Sequence, residues 1–279
     1  MFIHQEAYAL QVLDRFKMSE AKPVSVPADV HVCLKPAEDT EKRLAVPFRE
    51  AVGSLMFLAV MTRPDLAYAV NNVSKYLANL DESHWQAVKR IFKYLKGTTR
   101  FGITYRAGGS ESQLIGFADA DYAGDIETRR STTGYAFCFA NGIITWCSKR
   151  QPLVTLSTTE AEYVAAALAI QECVWLRRLL TELECESVRS TPLYVDNQSA
   201  IKLVQNPEYH QRTKHINIKF HFIREKAKEG TVKVIYMPSE QQRADLFTKV
   251  LPKCHFKSLC EIIGIGEPFE STQAVRMLE

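Results

Sequence analysis

The sequence contains no Cys-x-x-Cys pair, although seven cysteines are scattered along its 279 residues. An odd number of dispersed cysteines favours buried thiols in a reducing compartment over a disulfide framework. No basic segment followed by an apolar core stands at the start of the chain, so no signal peptide is predicted. The longest apolar run, residues 55–61, is too short to cross a bilayer. These absences predict a cytoplasmic or nuclear protein with no membrane partner.

The composition indicates a folded protein with a large core. Hydrophobic residues make up 46% of the chain and the net charge is only +3. A chain of this length fits one large domain or two small ones. The excess of basic residues lies in the first third, which weakly suggests a polyanionic partner. Repeats and low-complexity tracts are absent from the sequence.

The first hundred residues are predicted to be mostly helical. Ser83 is placed to cap the most regular of these helices, and Gly97 is placed to end it. Apolar residues recur at helical spacing in four segments, namely 5–16, 52–61, 64–77 and 83–95.

One face of the helix at 83–95 is basic. Lys89, Lys93 and Lys96 form a stripe with Arg90 beside it. Such a stripe is either a solvated helix face or a contact for nucleic acid, and the sequence leaves both interpretations open.

Beyond residue 100 the pattern changes to alternating strands and then to helices between strands. Asn141-Gly142 separates two predicted strands and indicates a hairpin, because a primed turn needs positive φ at both positions. Strands that follow a helical crossover are expected to be parallel to a neighbour. We therefore predict an α/β fold with a mixed five-stranded sheet, three strands antiparallel and two parallel, flanked by helices. The predicted strands are 101–105, 114–119, 134–140, 143–148, 192–195 and 232–236; the predicted helices are 158–183, 197–203, 215–229 and one beginning at 245–250.

Four acidic residues occupy the ends of these elements. Asp119 and Asp196 end predicted strands, while Glu162 and Asp245 lie near the starts of predicted helices, Glu162 within the first turn. Carboxylates in these positions can converge at one edge of a sheet. Oxygen ligands suit Mg²⁺, or Mn²⁺, and two such ions can drive hydrolysis of a phosphodiester.

Each acid also has a purely structural interpretation. Glu162 fits an ordinary acid at the positive end of a helix, Asp245 an N-cap, and Asp196 an Asx-turn. Asp121 competes with Asp119, because residues two apart on a strand share a face. We favour Asp119 because a longer apolar strand precedes it than follows it.

Several motifs resemble the ribonuclease H domain of copia-type LTR retrotransposon Pol polyproteins. The match is ordered and covers about residues 110–255. It rests on Gly-Phe-Ala-Asp-Ala-Asp-Tyr-Ala-Gly-Asp (116–125), Ser-Thr-Thr-Glu-Ala-Glu-Tyr (157–163), Val-Asp-Asn-Gln-Ser-Ala (195–200), Arg-Thr-Lys-His-Ile (212–216) and Ala-Asp-Leu-Phe-Thr-Lys (244–249).

The first part of the chain is similar to the reverse-transcriptase thumb and connection of the same family. Its helices would then pack on polymerase domains, so an exposed apolar patch is expected near residues 55–60. The resemblance implies a thumb-like segment at 1–100, a ribonuclease H-like domain at 101–255 and a C-terminal tail at 256–279. The matching segments are Gln-Glu-Ala-Tyr (5–8), Arg-Phe-Lys-Met (15–18), Gly-Ser-Leu-Met-Phe-Leu (53–58), Thr-Arg-Pro-Asp (62–65) and Arg-Ile-Phe-Lys-Tyr-Leu-Lys-Gly (90–97).

The resemblance implies that Asp119, Glu162, Asp196 and Asp245 hold the metal ions. It also implies cleavage of the RNA strand of RNA–DNA hybrids, recognised through 2′-hydroxyls and groove shape. Many enzymes of this fold carry a histidine shortly before the last aspartate, but residues 236–243 contain none. One interpretation is slower turnover, or replacement of this histidine by His215 or another group. The alternative interpretation gives the nearby histidines, His210, His215 and His221, structural or surface roles.

The chain lacks a Tyr-x-Asp-Asp polymerase signature, so it is not expected to be a working reverse transcriptase by itself. Copia-like chains also resemble secreted RxLR-type effectors of oomycetes, which would act on host plant proteins inside plant cells and dampen cell death. No Arg-x-Leu-Arg motif occurs here; the nearest stretch is Arg-Arg-Leu-Leu (177–180). A passive hybrid-binding module is a third hypothesis, distinguished by binding without cleavage.

Overall fold

The computed structural model describes residues 1–37, 44–106, 113–185, 189–205 and 214–268, without the side chains of 205 and 214–220. Close packing divides the chain into two compact units. One contains residues 1–106 together with the chain from Val250 onward, and the other contains residues 107–249. The domain limits after residues 100 and 255 stay a prediction.

The first unit is mostly helical, as its periodicity indicates. A short 3₁₀ helix, Pro64–Leu66, precedes α3. The elements in chain order are β1 (Phe2–His4), α1 (Glu6–Arg15), α2 (Phe48–Met61), α3 (Ala67–Ser74), α4 (Glu82–Gly97), β2 (Gly102–Thr104), α8 (Lys253–Ile262) and β8 (Ile265–Gly266).

Three short strands of this unit form a sheet of their own. β2 lies between β1 and β8 and is antiparallel to both. The strand predicted at 101–105 therefore exists, but it does not join the five-stranded sheet. Its partner strands, β1 and β8, lie far from it in sequence. Alternation within one segment predicts a strand but does not indicate which strands it pairs with.

The N-terminus of α4 differs from its prediction by two residues. Asp81, rather than Ser83, is the N-cap, and its carboxylate accepts hydrogen bonds from the backbone N–H of Ser83 and His84. His84 completes a capping box, because its Nδ1 accepts the N–H of Asp81 at 3.0 Å. An aspartate two residues upstream reaches the free N–H groups of the first turn better than a serine already inside it.

A buried ion pair stabilises the first unit. Arg63 is fully enclosed and donates two hydrogen bonds to Asp65, from Nε at 2.9 Å and from an Nη at 2.7 Å. Tyr94 donates its hydroxyl to the same carboxylate at 2.7 Å. The backbone carbonyl and the hydroxyl of Thr98 accept two more guanidinium protons. Every charge buried here has a partner, which is the condition under which a buried pair is tolerated.

The apolar patch expected near residues 55–60 is present on α2. Leu55 and Leu58 are buried, whereas Phe57, Val60 and Met61 are 46–61% exposed. In the part of the chain that the structure describes, no helix combines the length and apolarity needed to span a membrane.

The second unit contains the predicted mixed sheet, and the fold class is confirmed. The strand order is β5-β4-β3-β6-β7. β3, β4 and β5 pair antiparallel, while β6 is parallel to both β3 and β7. The elements are β3 (Ile115–Asp121), β4 (Thr132–Phe139), β5 (Gly142–Arg150), α5 (Thr158–Glu182), β6 (Thr191–Val195), α6 (Gln198–Gln205), α7 (Lys214–Lys228) and β7 (Val232–Tyr236).

The predicted hairpin joins β4 and β5, but its turn is one residue earlier than expected. Phe139 pairs with Gly142, so the two loop residues are Ala140 and Asn141. Both have positive φ, 50° and 60°. A type I′ turn requires this at both central positions. Gly142 instead begins β5.

The α-helix predicted to begin at Asp245 is wrong. A 3₁₀ helix occupies Arg243–Phe247, and Gln242 caps it by accepting the N–H of Ala244. The next α-helix, α8, begins only at Lys253. Pro252 precedes α8 and favours an extended conformation in the residue before it, which separates the two elements.

Candidate metal centre

Parallel pairing of β3 with β6 brings two of the four acids together. Gly116 pairs with Leu193 and Phe117 with Tyr194. Continuing this register by two residues places Asp119 beside Asp196. Asp119 is within β3 and buried, whereas Asp196 directly follows β6 and is half-buried.

Helix α5 supplies the third acid. Ser157 caps the helix and accepts the N–H of Glu160. Glu160 is the acid of the first turn, so the expected first-turn position of Glu162 is wrong. Glu162 lies at the fifth helical residue and is 7% exposed. An ordinary surface acid at a helix start does not account for a carboxylate this deeply buried.

Asp245 lies in the 3₁₀ helix Arg243–Phe247 and is 3% exposed. It is not an N-cap, because Gln242 has that role. One of its oxygens, Oδ2, is 2.9 Å from the ammonium of Lys249.

The ligand atoms of Asp119, Glu162 and Asp196 all lie within 4.8 Å of one another. Asp245 joins them electrostatically, since the charge of Asp119 acts on it as it does on Glu162. Four acids from four elements, separated by up to 126 residues in sequence, therefore face one small volume. We call these four residues the acidic cluster.

Burial and the charges of neighbouring carboxylates raise the pKa values of Glu162, Asp245 and Asp196. Burial first, and then the charges of Asp119 and Asp196, raise the pKa of Glu162 to about 10. Burial and the charge of Asp119 raise the pKa of Asp245 to about 7. Burial also raises the pKa of Asp196, although a hydrogen bond from Ser239 opposes the shift. Carboxylates this close ionise together only if a cation neutralises them.

Among the residues that the structure describes, two buried oxygens of the acidic cluster have no hydrogen-bond partner, namely Oε2 of Glu162 and Oδ1 of Asp245. A buried, unpaired carboxylate oxygen costs free energy, so such atoms indicate a missing ligand. A hard divalent cation fits them, because all four side chains offer oxygen and no sulfur or nitrogen.

Two other oxygens of the acidic cluster accept hydrogen bonds from hydroxyl groups. Thr248 donates to Oδ2 of Asp119, and Ser239 donates to Oδ2 of Asp196 at 2.7 Å. Asp121 faces a different partner, because its Oδ1 accepts the backbone N–H of Thr132. The geometry therefore separates Asp119 from Asp121, which the sequence pattern alone did not.

Comparison with known proteins finds relatives of the family that the sequence motifs indicate. The chain is 45% identical over 271 residues to a retrovirus-related Pol polyprotein from transposon TNT 1-94 of Nicotiana tabacum, a match that covers 95% of this chain and 20% of the relative. It is 48% identical over 131 residues to secreted RxLR effector protein 161 of Plasmopara viticola, covering 47% of this chain and 92% of the relative. The chain belongs to the copia-type Pol family.

The chain spans about a fifth of the length of the Pol polyproteins that it matches. No family profile matches it. A solved structure of LC11-RNase H1, isolated from compost, is 18% identical, covers 49% of this chain and 93% of that one, and gives a TM-score of 0.38. The second unit has the ribonuclease H-like strand order, and 95% of the chain is similar to part of a retrotransposon Pol polyprotein.

Two residues that position the acidic cluster of this copia-type chain were not predicted from its sequence. Gln242 is fully buried, and its amide donates to the backbone carbonyls of Ala118 in β3 and Tyr194 in β6, at 3.1 and 3.4 Å. Gln242 therefore ties the segment that carries Asp245 to both strands that carry the other aspartates.

Gly134 of β4 is the second residue that positions the acidic cluster. It pairs with Asp119, and the Asp245 segment packs directly on it. A Cβ there would lie 2.6 Å from Cγ2 of Thr248 and 2.9 Å from the carbonyl oxygen of Ala244. Only glycine permits this approach. A glycine inside a strand pattern is the one sequence signal that could have indicated it.

The structure also locates part of the two other predicted features, the histidines and the basic stripe of α4. His210 lies outside the described residues, as does the side chain of His215, and His221 is exposed on α7. In the basic stripe of α4, Arg90 pairs with Asp29 at 2.9 Å and Lys89 lies 3.7 Å from Glu82. These pairs suit a solvated face and do not exclude a nucleic-acid contact.

Proposed function

We propose that the acidic cluster binds two divalent cations, Mg²⁺ or Mn²⁺, and that the chain hydrolyses the RNA strand of RNA–DNA hybrids. The observation that supports this most directly is the convergence of Asp119, Glu162 and Asp196 within 4.8 Å. The buried oxygens of Glu162 and Asp245 that lack a hydrogen-bond partner among the described residues add to it, because a bound cation would satisfy them.

Divalent ions, when bound, would neutralise phosphate charge and supply an activated water. The protein's own contribution is to hold the carboxylates rigidly. Thr248 fixes one oxygen of Asp119, and Ser239 fixes one of Asp196, so both carboxylates are restrained in orientation. The raised pKa values of Glu162 and Asp245 mean that cation binding at neutral pH releases protons from these side chains.

Hydrolysis of a labelled RNA–DNA hybrid in Mg²⁺ tests this proposal. Asp119→Asn and Glu162→Gln should each lower the rate by on the order of a thousandfold or more, because each removes a charge that holds the cations. Glu160→Gln is the matched control. It is the same change two residues away on α5, in an acid that accepts the N–H of Leu156 outside the cluster, and it should retain activity.

Equal hydrolysis by the unsubstituted chain and both cluster variants, or none by any of them, would refute the nuclease. RNA–RNA and DNA–DNA duplexes belong in the same assay, since recognition through 2′-hydroxyls on one strand predicts a preference for the hybrid. Salt-sensitive hybrid binding without cleavage would instead support the passive module.

The match that covers 92% of secreted RxLR effector protein 161 favours a second candidate, a recruited role in plant cells without catalysis. Expression of the chain in plant tissue, scored for altered cell death, tests it. If Asp119→Asn alters cell death as strongly as the unsubstituted chain does, the role is independent of hydrolysis; if neither has an effect, this candidate fails.

A further inference from the structure

A lysine outside the predicted quartet lies at the acidic cluster. The Nζ of Lys249 is 2.9 Å from Oδ2 of Asp245, whose side chain is 4% exposed, while the lysine side chain is 45% exposed. The charges of Asp119 and Asp196 act on the same ammonium. Lys249 therefore supplies the positive charge of a group of four carboxylates that would otherwise repel one another.

This pair differs from an ordinary surface ion pair of the same chain. Lys226 and Glu229 lie 2.8 Å apart on one side of α7, but the glutamate side chain is 45% exposed. Water solvates that carboxylate when its lysine leaves. Asp245 has no such alternative, because it is buried against Asp119 and no described residue is a hydrogen-bond partner of its second oxygen. Its neutralisation must come from Lys249, a proton or a bound cation.

We propose that Lys249 is an intramolecular counter-cation that competes with divalent ions for Asp245 and so sets the Mg²⁺ concentration at which the acidic cluster fills. The inference rests on the proposed function in taking Asp245 as a metal ligand. The ammonium of Lys249 already lies against Oδ2 of Asp245, an oxygen that a bound cation would use. A divalent ion must displace Lys249 from Oδ2 or bind beside it, and either arrangement weakens cation binding.

Calorimetric titration with Mg²⁺ alone, without nucleic acid, tests the inference. Titrations at about pH 8.5 reduce competition from protons for the carboxylates. Lys249→Met should bind Mg²⁺ about three- to tenfold more tightly than the unsubstituted chain, since it removes the competing charge and keeps the aliphatic stem. Lys249→Arg retains the charge and should stay within about twofold. Lys226→Met, which breaks the exposed pair on α7, should leave the affinity unchanged.

Thermal unfolding gives a second readout. In EDTA, Lys249→Met should have a lower Tm than the unsubstituted chain, because the carboxylates lose their counter-charge. Saturating Mg²⁺ should raise the Tm of Lys249→Met by more than it raises the Tm of the unsubstituted chain. An unchanged or weaker Mg²⁺ affinity in Lys249→Met overturns the inference, as does the absence of Mg²⁺ binding from both proteins. Failure of the proposed function is recognised separately, as Mg²⁺ binding by a chain that does not hydrolyse the hybrid.

Discussion

Thr248 and Asp119 are 129 residues apart in sequence, and the buried hydroxyl of Thr248 donates a hydrogen bond to the Asp119 carboxylate. This contact joins the 3₁₀ segment that carries Asp245 to the strand that carries Asp119. Hydrogen bonds to metal-binding carboxylates orient them, and their loss commonly costs ten- to a hundredfold in affinity or activity.

Thr248→Val should therefore lower both Mg²⁺ affinity and hybrid hydrolysis by about ten- to a hundredfold, since it keeps the shape and removes the donor. Calorimetric Mg²⁺ titration and initial rates on the labelled hybrid measure the two effects. Thr248→Ser keeps the hydroxyl and should lose much less. A valine variant as active as the serine variant would show that the hydrogen bond does not position Asp119.

Gly134→Ala should separate the Asp245 segment from β4. The new Cβ would lie within 3 Å of Thr248 and Ala244, so the segment must shift. Overpacking of this kind costs about 1–3 kcal/mol of stability. Urea unfolding measures this cost, and the hybrid assay measures the accompanying loss of activity.

Gly53→Ala in α2 is the matched control for that variant. Nothing lies within 4 Å of the added Cβ there. Alanine in a helix is more stable than glycine by about 0.5–1 kcal/mol, so the same substitution should be neutral or stabilising. Two variants with the same sign and size of effect would mean that the close approach at Gly134 has no special cost.

The sequence predicted the parts of this molecule that local patterns encode. Alternation located the strands of the central sheet, periodicity located α5, and motif order indicated Asp119 and Glu162. Gln242 and Lys249 were not predicted, because their roles depend on partners in other elements that no local pattern specifies. The turn at Ala140-Asn141 was misplaced by one residue, since register between strands, and not the Asn-Gly pair alone, decides which residues form the loop.

Arg63→Met should destabilise the first unit by about 3–5 kcal/mol, because it leaves the buried Asp65 carboxylate without its counter-charge. Urea unfolding of the intact chain, followed by far-UV circular dichroism, measures the change. The double variant Arg63→Met/Asp65→Asn should lose less than the sum of the single variants, as expected for two residues in direct contact. Strict additivity of the two would show that the pair does not act as a unit. Lys226→Met, at an exposed pair, should leave the free energy of unfolding unchanged within error.

His84 should make the stability of the chain depend on pH in mildly acidic solution. Burial lowers the pKa of His84 below its ordinary value of 6.5, although the charge of Asp81 opposes the shift. The folded chain then binds fewer protons at this site than the unfolded chain, so the contribution to stability is complete above about pH 6.5 and is lost as the pH falls below it. Protonation of Nδ1 also removes the acceptor that completes the cap of α4.

Replacing His84 with glutamine tests this dependence, because glutamine is a usual residue at the third position of a capping box and does not titrate. We expect the Tm of the unsubstituted chain to fall more steeply than that of His84→Gln between about pH 7 and pH 5. The acidic cluster contributes a pH dependence of the opposite sign, because raised carboxylate pKa values stabilise the fold at lower pH. Both proteins contain this cluster, so its contribution cancels when the Tm curve of one is subtracted from that of the other. His221→Gln, at an exposed histidine of α7, should leave the slope as it is. Parallel curves for the unsubstituted chain and His84→Gln would show that His84 does not titrate differently in the folded and unfolded states.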